Sequence, residues 1–222
     1  MHSSPRAGFR SISGVTLVEL LVTLAVLAVL ATLSAPALSE IMWSSRLTAQ
    51  ADKIVTSLQR ARSEAIYRRQ PAGLKGFADR ASDHLCTGSA SGGFDWTNLT
   101  TFVDVDHRHD RMPLPNGNGF AANILLERSS VQRTNRYGQE SSAAPLFRIY
   151  SNTCAIAFHS DGMPRAVNTS GGEAMRPIEV IVCRPEASPA QNARRIQMTA
   201  GGRIRVVPVN GEGRCPELTS AS

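Results

Sequence analysis

The sequence predicts an α+β fold in which a long N-terminal helix precedes a small antiparallel β-rich head. Three observations lead there. The run from Val15 to Ser39 is apolar and holds one charged residue, Glu19. After Ser39 the chain turns polar but keeps an apolar stripe at helical spacing. Beyond Pro71 that spacing gives way to short β-like runs separated by turn clusters.

The first element is long enough to cross a bilayer. About 25 helical residues at a rise of about 1.5 Å cover the roughly 30 Å hydrocarbon core, so a transmembrane segment is expected over about 15–38. A carboxylate inside such a segment costs about 2.5–3.5 kcal/mol on insertion scales, and Glu19 therefore asks for a partner or a function. Arg6 and Arg10 precede the run and direct the following chain across the membrane. Two plainer readings compete: a secretory signal ending at Ala35-Pro36-Ala37, and a simple anchor. A signal h-region spans about 7–15 residues and carries no acidic residue at its head, and neither reading accounts for Gly14 and Glu19 together.

The helix is expected to continue to residue 70. Leu47, Ala51, Ile54, Leu58, Ala61 and Ala65 recur at steps of four and three, the signature of an amphipathic helix. Arg60, Glu64 and Arg68 stand four apart on another face, where ion pairing adds a few tenths of a kcal/mol. Gln70-Pro71 ends the helix, because proline disfavours helical geometry in the residue before it. Pro36 is the natural place for a kink.

Residues 71–222 form the head. Candidate strands are Leu99–Val105, Asn123–Glu127, Leu146–Tyr150, Cys154–Phe158, Ile178–Cys183, Arg195–Thr199 and Arg203–Val207, with turns at Ser160-Asp161-Gly162 and Ala200-Gly201-Gly202. An antiparallel meander is expected, since no intervening stretch is long or periodic enough for crossover helices. At 222 residues the chain has room for one helix and one head, and no second domain is expected. Cys86, Cys154, Cys183 and Cys215 lie beyond the apolar run with no C-x-x-C spacing, which favours disulfides over zinc or a redox dithiol and leaves three pairings open.

Composition excludes little by itself. Net charge is +6, and Lys53 and Lys75 are the only lysines among 24 basic residues. Arginine suits bidentate contacts to phosphate and carboxylate, although a GC-rich genome gives the same bias. Asp104, Asp106, His107, His109 and Asp110 are the one cluster with metal-ligand chemistry, but the glycine and distal glutamate of a calcium loop are missing, so a solvated loop at a strand end is expected. His159, Ser160 and Asp161 are adjacent and cannot converge as base, nucleophile and orienting group, and no G-x-S-x-G elbow exists. No enzyme, resident metal or cofactor is expected.

The segment Gly14-Val-Thr-Leu-Val-Glu19 with its apolar continuation resembles the class III leader and N-terminal helix of type IV pilins and type II secretion pseudopilins. The run from Arg46-Leu-Thr-Ala-Gln-Ala to Ala61-Arg-Ser-Glu-Ala-Ile66 resembles the GspH/FimT branch of minor pilins, and the likeness extends along most of the chain, thinning between about Asp104 and Ala144. The resemblance implies a pilin-like fold and a structural, non-enzymatic role. It implies that prepilin peptidase removes residues 1–14 after Gly14, leaving Val15, where the family usually has Phe, as the methylated N-terminus. Glu19 is then the fifth mature residue, and Pro36 also matches the family pattern. A carboxylate there can face the N-terminal ammonium of a neighbouring subunit and set the axial register, because opposite charges in low dielectric attract strongly and an unpaired one is costly.

The implied location is a bacterial inner membrane, single-pass with a periplasmic head, and afterwards a pilus or pseudopilus filament. The implied partners are other pilin or pseudopilin subunits, prepilin peptidase and inner-membrane lipid. Gly202-Arg203-Ile204-Arg205 resembles the Gly-Arg-x-Arg element with which FimT-type minor pilins bind DNA in natural transformation. On a strand, Arg203 and Arg205 would share one face while Ile204 and Val206 face the core. DNA is thus an alternative partner, with Arg194, Arg195 and Arg214 as helpers. The tail from Pro208 to Ser222 runs past the point where family members usually end.

Overall fold

The structure is a computed structural model that describes residues 16–77, 93–105, 124–130, 147–169, 172–184, 192–212 and 214–219, with side chains at 33–37, 39, 77, 125 and 128–130 left aside. The chain divides into two compact units, Met1–Ile41 and Met42–Ser222. Helix α1, Leu17–Arg68, contributes to both.

Thr16 caps α1. Its Oγ1 accepts a hydrogen bond from Glu19 N at 3.3 Å, and its carbonyl accepts one from Leu20 N at 3.2 Å. Thr16-Leu-Val-Glu19 is therefore a capping-box sequence at the helix start. The helix ends where Arg69 takes a left-handed φ of 53° ahead of Pro71. In the first unit Leu17, Leu20, Leu24, Leu27 and Leu30 are all more than half exposed. Among the described residues no helix is long and apolar enough to cross a membrane, the run of described side chains being broken after Thr32.

In the second unit, α1 buries Leu47, Ala51, Ile54, Leu58, Ala61 and Ala65, the stripe expected from their spacing. Eleven strands follow among the described residues. β1 (Ala72–Phe77), β3 (Asn98–Val103), β4 (Ile124–Ser130), β6 (Ala155–Phe158), β7 (Pro164–Val167) and β8 (Glu173–Ala174) form one sheet in the order β4-β3-β1-β6-β7-β8. β2 (Phe94–Asp95), β5 (Arg148–Ser151), β9 (Ile178–Cys183), β10 (Ala193–Met198) and β11 (Ile204–Val209) form the other in the order β11-β10-β9-β5-β2. All the recorded pairings are antiparallel. One core joins the helix stripe to Leu74, Ile156 and Phe158 of the first sheet and to Ile149, Val180 and Ile196 of the second.

The expected meander holds only for β6-β7-β8 and β9-β10-β11 together with the β3-β4 pair. The remaining pairs, β1-β3, β1-β6, β5-β9 and β2-β5, join strands distant in sequence. β1 is the principal strand that periodicity misses, because its two glycines and a lysine suppress the apolar signal. Each glycine has a packing reason: a Cβ on Gly73 would lie 2.7 Å from the Ile156 carbonyl oxygen, and one on Gly76 would collide with the Trp96 indole. That indole is fully buried and donates from Nε1 to the Thr153 carbonyl at 3.0 Å. On the helix surface Arg68 pairs with Glu64 at 2.6 Å, as the spacing predicts, whereas Arg60 reaches β4 and pairs with Glu127 at 3.2 Å.

The segment after β11 straps the second sheet. Cys215 is disulfide-bonded to Cys183, and Cys154 is disulfide-bonded as well. Cys86 lies outside the described residues. Leu218 and Val209 pack on Tyr150, Ile181, Cys183 and Ala193, a second small core. The Tyr150 hydroxyl donates to the Pro216 carbonyl, and Asn192 Nδ2 donates to Arg214 O at 2.8 Å. The Glu179 carboxylate accepts from Thr219 N at 2.7 Å and is ion-paired with Arg195 at 2.7 Å.

Candidate functional site

Gly14 and Val15 lie outside the described residues. Glu19 stands exposed in the first turn of α1, in a run whose other described side chains are apolar or threonine. Position 36 is within the helix. A carboxylate in that first turn also complements the positive end of the helix dipole. The local sequence signal for this cap is Thr16-x-x-Glu19.

The arginines of the head divide by environment. Arg203 and Arg205 are exposed. Arg203 lies in the turn ahead of β11, where its N–H donates to Thr199 Oγ1 at 3.2 Å, and Arg205 opposes Gln197 across β10. The turn itself is locked by Gly202, at φ 79°, whose carbonyl accepts from Arg62 of α1 at 3.2 Å. Ile204 packs against the core, as expected. Val206 opposes Ile196 and shares its face, yet it is 37% exposed, because β11 is the outer strand of its sheet. Pro208 on this strand suits an edge, where its missing N–H leaves no ladder bond unmade.

Arg194 and Arg195, expected beside this pair, are committed elsewhere. Arg194 is buried; its guanidinium donates to Ser44 Oγ at 2.8 Å, to Thr48 Oγ1 at 3.2 Å and to the Ala193 carbonyl at 3.1 Å. Burial lowers its pKa from the ordinary arginine value. Arg195 is held by Glu179 and donates to Glu217 O at 3.1 Å. Arg214 is exposed, and its carbonyl is tied to Asn192.

Of the aspartate and histidine cluster, Asp104 is buried, and positions 106–110 lie outside the described residues. Among the described residues no group of three or more metal-ligating side chains converges. His159 faces Glu173, with Nε2 at 2.8 Å from Oε2, while the Asp161 carboxylate accepts from Met163 N.

Residues 50–202 match the family described as Type II transport protein GspH, and residues 9–35 match the prokaryotic N-terminal methylation motif. The chain belongs to the GspH family. Two solved structures similar to it are crystal forms of the type IV minor pilin FimU of Pseudomonas aeruginosa strain PAO1. The P21 form has a TM-score of 0.43 at 16% identity and covers 78% of this chain and 94% of that one. For the P65 form the values are 0.42, 17%, 77% and 97%. No curated protein matches the chain. For this GspH-family chain, the methylation motif takes in Arg10, Gly14, Glu19 and most of the apolar run, so the two family matches together run over both halves of α1.

Proposed function

We propose that this GspH-family chain is a minor pilin or pseudopilin, cut after Gly14, held in the inner membrane by the apolar half of α1 with its head in the periplasm, and built into a filament with other pilin subunits. The observation that carries this reading is the first unit itself. Leu17, Val18, Leu20 and Leu21 are between 54% and 74% exposed, and apolar helix surface left uncovered on this scale calls for lipid or neighbouring helices. Glu19 in that surface supplies the carboxylate that an incoming subunit's N-terminal ammonium would meet. N-terminal sequencing of membrane-extracted protein tests the reading: the mature chain begins at Val15, and a start near Leu38 would overturn it.

Exposure of Arg203 and Arg205 supports a second reading, a minor pilin that also binds DNA during uptake. Two guanidiniums on an outer strand and its turn suit successive phosphates, with no recognition helix to read bases among the described residues of the head. Titration of the chain with labelled duplex at two salt concentrations tests it, and the absence of binding at low salt would sink it.

A further inference from the structure

Where the second unit begins, the fold assembles a cluster that the strand and helix patterns do not announce. Trp43, on α1, is partly buried, with its ring edge-on to Phe147 at a centroid distance of 6.3 Å. Arg184, the residue after β9, stacks on the same indole with its guanidinium carbon 3.9 Å from the ring centroid, and Arg46, one turn on along α1, lies at 5.1 Å. Arg148 opens β5 opposite Cys183 and is exposed, which puts a further guanidinium at this end of the sheet. The residues just before Trp43 are apolar and exposed: Leu38 at 59%, Ile41 at 66% and Met42 at 49%. Glu40 is the acidic residue in this stretch.

We propose that Trp43, Arg46 and Arg184 form a headgroup anchor that engages the phosphates of an anionic lipid surface. The inference rests on the membrane-anchored reading above. Indole is apolar across its ring and polar at its N–H, so it favours the boundary between acyl chains and water. Stacking occupies the face of a guanidinium, while its N–H donors radiate from the edge in the fork that matches phosphate oxygens. Two arginines on one indole also leave less open ring for a nucleic-acid base to stack on, which favours lipid over single-stranded DNA as the occupant. Basic groups at a membrane surface gain about fivefold each in attraction to anionic lipid, and salt weakens the gain.

The test uses the full chain reconstituted in vesicles of phosphatidylcholine alone or mixed with phosphatidylglycerol, each with brominated acyl chains. Trp43 and Trp96 are the only tryptophans, and Trp96 is fully buried in the head, so quenching reports Trp43. Quenching is expected to be stronger in the anionic vesicles, and both high salt and R46Q/R184Q are expected to remove the difference. Equal quenching in the two lipids, or an unchanged difference in the double variant, would overturn the proposal. Near-ultraviolet circular dichroism from Trp96 shows whether that variant keeps its fold, and the salt arm on the unmodified chain decides the matter independently. Flotation of the vesicles after a carbonate wash separates the two readings: a chain that floats with both lipids yet is quenched equally in them ends the headgroup anchor alone, and one that fails to float ends the membrane anchor with it. Loss of the anionic enhancement on adding duplex DNA would assign the cluster to nucleic acid instead.

Discussion

At the scale of single residues, two positions in the head carry more than their type suggests. Gly202 combines a φ of 79° with contact to Arg62, whose Nη1 would lie 3.2 Å from an added Cβ. Gly202→Ala should therefore cost about 1–2 kcal/mol for the left-handed backbone, read as a lowered melting temperature of the purified chain in detergent. Arg194 satisfies its buried guanidinium through α1, so Arg194→Ala should cost about 1.5–3 kcal/mol in the same melt, with Arg194→Lys recovering only part, because an ammonium cannot span Ser44 and Thr48 from one planar fork. In the sequence Arg194 and Arg203 are equivalent cations on strand-like runs. Only the packing of β10 against α1 distinguishes them.

At the scale of elements, the strap after β11 and the strand β1 make the sharpest claims. Opening the Cys183–Cys215 bond, a sequence separation of 32, should cost about 3.7 kcal/mol in the chain-entropy picture of disulfides. Cys215→Ser measured by urea unfolding checks this, with reduced protein of the natural sequence as the control. Tyr150 links the strap to pH: burial, above all, raises the pKa of its phenol well above the ordinary value. Its proton is then kept by the folded chain where the unfolded chain would lose it, so this contribution is full below about pH 10 and falls as pH rises beyond it. The urea midpoint should drop on going from neutral to strongly alkaline solution, and less so in Tyr150→Phe. Gly76→Ala should be disruptive out of proportion to one methyl, by about 1–3 kcal/mol, since the added Cβ meets the Trp96 indole.

At the scale of the whole molecule, the predictions concern assembly and binding. Glu19→Ala should insert in the membrane as well as or better than the natural chain and yet be depleted from filaments, because it removes a charge from the apolar surface and with it the partner for a neighbour's ammonium. Shear fractionation decides, and undiminished recovery in filaments would release Glu19 from that role, leaving its place in the Thr16 cap. If duplex binds, its log-log salt dependence should have a slope of roughly −0.9 per phosphate neutralised, and Arg203→Gln with Arg205→Gln should flatten it by about 2.

The helix, its buried stripe and its stop at Pro71 were legible in the sequence because helical periodicity is local: each turn repeats the same burial decision. So were β9 in full, most other strands to within a few residues, and the methylation motif that the family match covers over residues 9–35. β1 and the pairing of the sheets were not, because a strand that owes its glycines to Ile156 and Trp96 carries no alternation of its own, and its neighbours are distant in sequence. The same holds for charge. The sequence set the supply of arginines, but burial under α1, pairing with Glu179, stacking on Trp43 and exposure on the edge strand are properties of contacts between distant segments, and only the tertiary structure assigns them.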